Sequence, residues 1–197
     1  HSIEVDLLDR AATERAAADV ARRFAVTHLV HNAGAIRPAL LPDVKLDDLE
    51  ALTQLHLGSA ITLVQAMLPS MKREKFGRIV LLSSRGALGL ATRTAYAATK
   101  GGMVGMARTW ALELAGDGIT VNVIAPGPIS GTEMFHAVVP KDSEREKALA
   151  KGIPVQRLGR PDDVARAVMF FCDRANSFIT GQTLYVCGGA SLGSLVI

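Results

Sequence analysis

A doubly wound α/β fold built on a parallel sheet is the architecture this sequence predicts. Two observations carry it. Short runs that are apolar at almost every position, such as Ile79-Val80-Leu81-Leu82, read as strands buried on both faces. Longer segments with helical apolar spacing separate them, so strand and helix alternate along the chain. With 197 residues, 49% of them apolar, one domain with a substantial core is expected over 1–197.

The elements follow in order. Ile3-Glu4-Val5 reads as a strand fragment. Residues 13–24 read as a helix capped by Thr13, with Ala16, Ala17, Val20, Ala21 and Phe24 on one face. His28-Leu29-Val30 is a short strand. Residues 46–73 form a long amphipathic helix in which Pro69 is expected to kink or end the last turns. Gly77 introduces the strand Ile79–Leu82, and residues 96–115 make another helix. The strand Thr120–Ile124, a helix over 162–172 and the strand Thr183–Val186 complete the pattern. Residues 127–152, rich in Gly, Pro and charge, are irregular: either a mobile lid or an ordered surface excursion.

Composition excludes several classes. A net charge of +3 with this apolar content excludes intrinsic disorder, and the 18 Gly and 8 Pro lack any period. The uncharged segment Leu55 to Met71 is short for a bilayer and holds His, Gln and Pro, so no membrane span or membrane partner is expected. Basic residues alternate with acids, as in Lys72-Arg73-Glu74-Lys75, which suits solvated helix faces rather than a nucleic-acid footprint. Cys172 and Cys187 form neither a disulfide framework nor a metal spacing; Cys172, inside Val168–Cys172, is expected to be a buried free thiol. That usage fits a reducing cytoplasm.

In open parallel sheets, ligands bind beyond the carboxyl ends of the strands. Polar residues gather there: Asn32-Ala33-Gly34, Ser83-Ser84 and Pro126-Gly127 each follow a strand. The strongest chemical signal is Tyr96-Ala97-Ala98-Thr99-Lys100. Tyrosine and lysine four residues apart share a helix face, and an ammonium near a phenol lowers its pKa toward general acid–base use. Alone the pair is a common surface arrangement; the serines upstream and Gly101, Gly102 and Gly105 downstream, which permit close approach or simple helix packing, raise its weight.

The chain resembles the short-chain dehydrogenase/reductase family, in its single-domain type that includes ketoacyl reductases and sugar dehydrogenases. The matching motifs, in order, are Asp6-Leu7-Leu8-Asp9, Asn32-Ala33-Gly34, Gly77-Arg78-Ile79-Val80 leading to Ser83-Ser84, and Tyr96-x-x-x-Lys100. Gly118–Gly127, Arg157-Leu158-Gly159-Arg160-Pro161 and Phe178–Gln182 follow. The resemblance implies a Rossmann-like fold and hydride transfer between NAD or NADP and a carbonyl or alcohol carbon of a small molecule. It implies Tyr96 as proton donor or acceptor, Lys100 beside it and on the nicotinamide ribose, and a serine on the substrate oxygen. Ser84 takes that place when counted from Gly77, Ser83 when counted back from Tyr96; only one can face the site, because side chains alternate along a strand, and Ser84 is preferred. Asn32, Ala33 and Gly34 would pass close to the cofactor, Asp6 and Leu7 would face adenine, Pro126, Gly127 and Ile129 would line the nicotinamide, and Thr132 would reach its amide or the phosphates. The resemblance also implies a homodimer or homotetramer formed through the long helices and the last strand.

Departures are equally specific. His56 stands where the family usually has Asn; it would be a packed neutral side chain or a proton shuttle. His31 replaces the first Asn of the usual Asn-Asn-Ala-Gly, and Cys187 a frequent Asp before Gly188-Gly189. The family's phosphate-binding Gly-x-x-x-Gly-x-Gly is absent from the 197 residues, and residue 1 is His. The expectation is that the first strands and helices, with that phosphate-binding βαβ part, are missing from this chain. A cofactor-free, catalytically silent scaffold is the rival expectation.

Overall fold

The computed structural model describes residues 1–192. Among them, four parallel strands form one sheet in the order β1 (His28–His31), β2 (Gly77–Leu82), β3 (Ile119–Pro126), β4 (Thr183–Val186). Register runs Val30 opposite Val80, Val80 opposite Asn122, and Ile124 opposite Leu184. Ile3–Val5 does not form a strand; it is irregular, largely exposed chain.

The helices are α1 (Arg10–Arg23), α2 (Leu46–Thr53), α3 (Ser59–Glu74), α4 (Thr94–Leu114), α5 (Glu133–His136), α6 (Glu144–Gly152) and α7 (Pro161–Cys172). The expected helix over 13–24 starts earlier. Asp9, not Thr13, caps α1 through its carboxylate, which accepts from the Ala12 N–H, while Thr13 is buried and donates its hydroxyl to the Asp9 carbonyl. The expected helix over 46–73 exists, but one turn of π-helix, Gln54–Gly58, joins α2 to α3. Pro69 neither ends nor interrupts α3, which continues to Glu74 and stops at Lys75 in the left-handed conformation. Burial of Val64, Met67 and Met71 on the same helix outweighs the proline penalty of about 3 kcal/mol. By length and composition the 29 residues Leu46–Glu74 could cross a bilayer; here they pack into the core and against α1 and α4.

Alternation along the central strands makes two cores. Ile79 and Leu81 of β2 join Ile119, Val121 and Val123 of β3 beneath α3 and α4. Val80, Leu82 and Ile124 face the other way and meet Phe171 of α7. Helices therefore cover both faces, as expected. Because all four strands advance in one direction, the β3-to-β4 connection through α7 has the opposite hand to the first two crossovers, against the usual rule of a single hand. Residues 127–152 are an ordered excursion carrying α5 and α6, with Ser143 capping α6.

At the amino ends of the strands, Arg78 is buried and its guanidinium donates to the carbonyls of Asp173 and Arg174 at 3.4 and 3.1 Å and to Gly77 at 2.8 Å. Arg78 and Arg174 both stack on the Phe76 ring. Cys172 is only half-buried; Cys187, at the other end of the sheet, is the buried thiol. Cys172 lies three positions after exposed Met169, on the same side of α7, which leaves its thiol half-open.

Candidate active site

The carboxyl ends of β1, β2 and β3 converge on α4. Tyr96 and Lys100 lie one turn apart on its buried face, with Ala95, Thr99 and Met103. The Lys100 ammonium donates to the Leu82 carbonyl at 2.6 Å, which fixes it at the end of β2, with Met103 Sδ at 3.8 Å. Burial brings Lys100 down to about 8.

Tyr96 departs from the sequence expectation. Burial raises its phenol above the ordinary value; hydrogen bonding to Ser84 and the charge of Arg93 work in the other direction without prevailing. Lys100 does not lower it, because at about 8 the lysine has already released its proton, and with it its charge, in the range where the phenol titrates. Tyr96 thus keeps its proton firmly.

The serines separate cleanly. Ser83 is buried and donates to the Lys100 carbonyl at 2.7 Å, tying β2 to α4. Ser84 lies on the Tyr96 side, is the phenol's hydrogen-bond partner, and accepts from the Gly86 N–H at 2.9 Å. A side chain at Gly86 would press within 3.3 Å of both the Ser84 hydroxyl and the Tyr96 ring, so the close approach needs glycine.

On the β1 side, Asn32 is exposed and Ala33 and Gly34 are half-buried. Gly34 passes so near the centre that a Cβ there would lie 3.3 Å from both His56 Nε2 and Lys100 Nζ. On the β3 side, Pro126 and Gly127 are half-buried, and Gly127 backs onto the Cys187 backbone. Ile129 pairs with Gly159, against which its side chain is packed. The Thr132 hydroxyl caps α5 by accepting from Phe135 N–H. Asp6 is exposed and caps its own turn, accepting from Leu8 N–H; the Leu7 carbonyl accepts from Gln54 Nε2 at 3.2 Å, which docks this segment on the π turn. Of the sequence candidates, then, Ser84, Tyr96, Lys100 and Gly34 are brought together. Ile129 and Thr132 are engaged in local packing, and Asp6 and Leu7 sit at the π turn.

Sequence reasoning missed Thr99, Gln54 and Ala35. His56 is completely buried: its Nδ1 and Nε2 bond Thr99 and Ala35. His31 is buried against Ser59, with Nδ1 unpartnered. Burial, then the charge of Lys100, hold His31 near 4 and His56 near 3, so both are neutral at pH 7. Polar residues at apolar-face positions (Thr99 lies three after Tyr96) were the available signal. Cys187 was missed as well. Burial raises its pKa, but hydrogen bonds from the Ser191 hydroxyl and the N–H groups of Ser191, Gly189 and Ala190 outweigh that and hold the thiol below its ordinary range.

The family described as enoyl-(acyl carrier protein) reductase matches residues 1–191. Subunit BbsC of (2S)-[(R)-hydroxy(phenyl)methyl]succinyl-CoA dehydrogenase from Thauera aromatica is 41% identical over 171 residues, 87% of this chain and 66% of that protein. The 3-oxoacyl-[acyl-carrier-protein] reductase FabG of Thermotoga maritima is 41% identical over 162 residues, 82% of this chain and 64% of its own. The chain spans just under two thirds of the length of these curated relatives. Among solved structures, a gluconate 5-dehydrogenase from Burkholderia cenocepacia in complex with NADP and tartrate superposes with a TM-score of 0.88 at 32% identity, covering 96% of this chain and 74% of that one. A blue fluorescent protein from a metagenomic library, in complex with NADPH, gives 0.83 at 33% identity, covering 94% and 73%. Gly34, Ser84, Tyr96 and Lys100 meet here at the carboxyl ends of parallel strands, and the chain belongs to the short-chain dehydrogenase/reductase family.

Proposed function

We propose that the protein is an NAD(P)-dependent oxidoreductase acting on the carbonyl or alcohol group of a small molecule, with Tyr96 as the general acid–base, Lys100 as its companion and Ser84 on the substrate oxygen. The observation that carries this is the single cluster of a buried phenol, its serine partner and a buried ammonium beyond the ends of the sheet. A phenol that holds its proton at neutral pH can donate it to a carbonyl oxygen in the reductive direction, and by microscopic reversibility the same group takes the proton back in the oxidative one. Ser84 would hold that oxygen beside the Tyr96 hydroxyl, whose proton it receives.

The donor set fits the nicotinamide half of a dinucleotide. Lys100 spends only one strong N–H on Leu82, leaving donors suited to ribose hydroxyls, and Gly34 lets the β1 loop approach without a side chain. Asn32, Ala33, Pro126, Gly127, Ile129 and Thr132 would complete the walls, with Asp6 and Leu7 on the adenine side. When bound, the dinucleotide supplies the hydride. The titles of structural relatives that name NADP or NADPH support this choice of cofactor. Exposed Leu112 on α4, Leu184 on β4 and Phe178 support assembly through these elements as a homodimer or homotetramer.

Tyr96→Phe tests the assignment. Turnover of carbonyl substrates with NADH or NADPH should fall by at least about 10²-fold, the scale of general acid catalysis, with dinucleotide affinity nearly unchanged. Retained turnover would overturn the role of Tyr96.

A further inference from the structure

We propose that Arg93, pinned by Thr92, is a specificity-determining residue that selects carbonyl or alcohol substrates bearing a carboxylate. The proposal rests on the oxidoreductase reading of the site above and names the class of substrate that the site takes.

The backbone of Arg93 is fixed from three sides. Its N–H donates to the Leu90 carbonyl at 3.1 Å, its carbonyl accepts from the Ala97 N–H at 2.7 Å, and it forms a parallel bridge with Ala39 of the loop after β1. The Ala39 N–H in turn donates to the Thr92 carbonyl at 3.0 Å. Arg93 therefore stands where the loops that follow β1 and β2 close on each other, at the head of the helix that carries Tyr96. Its positive charge is felt at the Tyr96 phenol.

The guanidinium is preset for a planar anion. Nη1 is spent on Thr92, donating to its hydroxyl oxygen and, at 3.4 Å, to its carbonyl. The edge formed by the Nε and Nη2 hydrogens donates to nothing among the described residues, and no carboxylate among them pairs with this half-buried charge. Two parallel N–H groups are the fork that a carboxylate accepts with both oxygens. Neighbouring arginines lack it: Arg37 is paired with Asp48, and Arg85 gives its Nε hydrogen to the Ala190 carbonyl at 2.7 Å.

Thr92 supplies an independent mark. Its φ of 67° is left-handed, which a β-branched residue adopts only under strain. Such strain persists where the surrounding structure over-determines it, and here it delivers the hydroxyl oxygen to Arg93 Nη1. A glycine would take the same turn unstrained and leave the guanidinium without that acceptor. A carboxylate on the Nε–Nη2 edge would orient a substrate whose reacting oxygen lies at Ser84 and Tyr96.

The test measures kcat/KM of the full chain, with NADPH and NADH, for acetoacetate, levulinate and 5-oxohexanoate, each beside its methyl ester. The series varies the span between carbonyl and carboxylate. The wild type should prefer at least one acid to its ester by about tenfold, the scale of a charge-assisted hydrogen bond. Arg93→Gln should cost that acid about tenfold more than the ester and erase the preference. Arg93→Lys, a point charge without the fork, should restore part of it. Thr92→Gly should reduce the preference with little change in melting temperature. The ratio is taken within each protein, so loss of folded material cancels. In ¹H–¹⁵N NMR the Arg93 Nε–H should shift on addition of levulinate and not of its ester. A wild type that reduces acids and esters alike, or an Arg93→Gln variant that loses both equally, would overturn the carboxylate site and leave the oxidoreductase reading standing. A wild type that reduces none of the pairs yet shows the Arg93 shift would keep the carboxylate site and count against the oxidoreductase reading.

Discussion

Lys100 should leave an unusual mark on stability. Its ordinary pKa is 10.5, and burial brings it to about 8 in the folded chain. Between those values the unfolded chain binds a proton that the folded chain has released, so stability rises with pH across that window. Below pH 8 both states are protonated and the folded state carries the full cost of a buried ammonium. The separation of the two values, at about 1.4 kcal/mol per pH unit, makes that cost about 3 kcal/mol. Lys100→Met removes the titration and keeps the aliphatic stem. It also strips the Leu82 carbonyl of its donor, an opposing loss of about 1–3 kcal/mol that does not depend on pH. The absolute stability of the variant at pH 7 is therefore a near-balance, whereas the difference curve is not. Urea unfolding of both proteins from pH 7 to pH 10.5 should show the wild type gaining about 3 kcal/mol relative to Lys100→Met, with the rise beginning near pH 8. A flat difference, or one that falls, would refute the claim that Lys100 is held as a desolvated charge.

The serines should be separable by one comparison. Ser84→Ala should lower kcat about 10²-fold or more with little change in melting temperature, whereas Ser83→Ala should cost about 1 kcal/mol of stability through its lost bond to the Lys100 carbonyl; the reverse pattern would exchange their roles. Acid should also weaken the fold. His31 and His56 have folded values near 4 and 3 against an ordinary 6.5, so each contributes stability that is present above pH 6.5 and is lost as pH falls toward those values. The loss is about 2 kcal/mol per histidine at pH 5, and an unfolding free energy unchanged between pH 7 and pH 5 would refute their neutral burial.

How much could be read from the residues differs by kind of signal. All four strands were legible, because period and composition act locally: Ile79–Leu82 and Thr183–Val186 need no partner to be recognised. Ile3–Val5 carried the same β-like text yet forms no strand, since a strand exists only through its neighbours. The Tyr96–Lys100 spacing and Ser84 were likewise legible, being local in sequence. The sign of the Tyr96 shift was not. It depends on burial, which raises the phenol and also brings Lys100 to about 8, so that the lysine carries no charge where the phenol titrates. The π turn escaped for the same reason, as nothing in Gln54-Leu55-His56-Leu57-Gly58 breaks the helical pattern, and its purpose shows only when His56 meets Ala35 and Thr99.

The sheet's unequal burial has a consequence for how the molecule opens. Every position of β2, and nearly every position of β3, is sealed from water, whereas β1 and β4 are half-open edges. Local unfolding costs least where burial is least, so amide protons of the flanking strands should exchange through small openings and those of the centre only through global unfolding. Ser84 and Tyr96 are anchored to the slow-exchanging centre, while Asn32–Ala35 hangs from a fast-exchanging edge. The two halves of the candidate site thus live on different clocks, the Asn32–Ala35 half able to breathe while the Ser84–Tyr96 half stays in register.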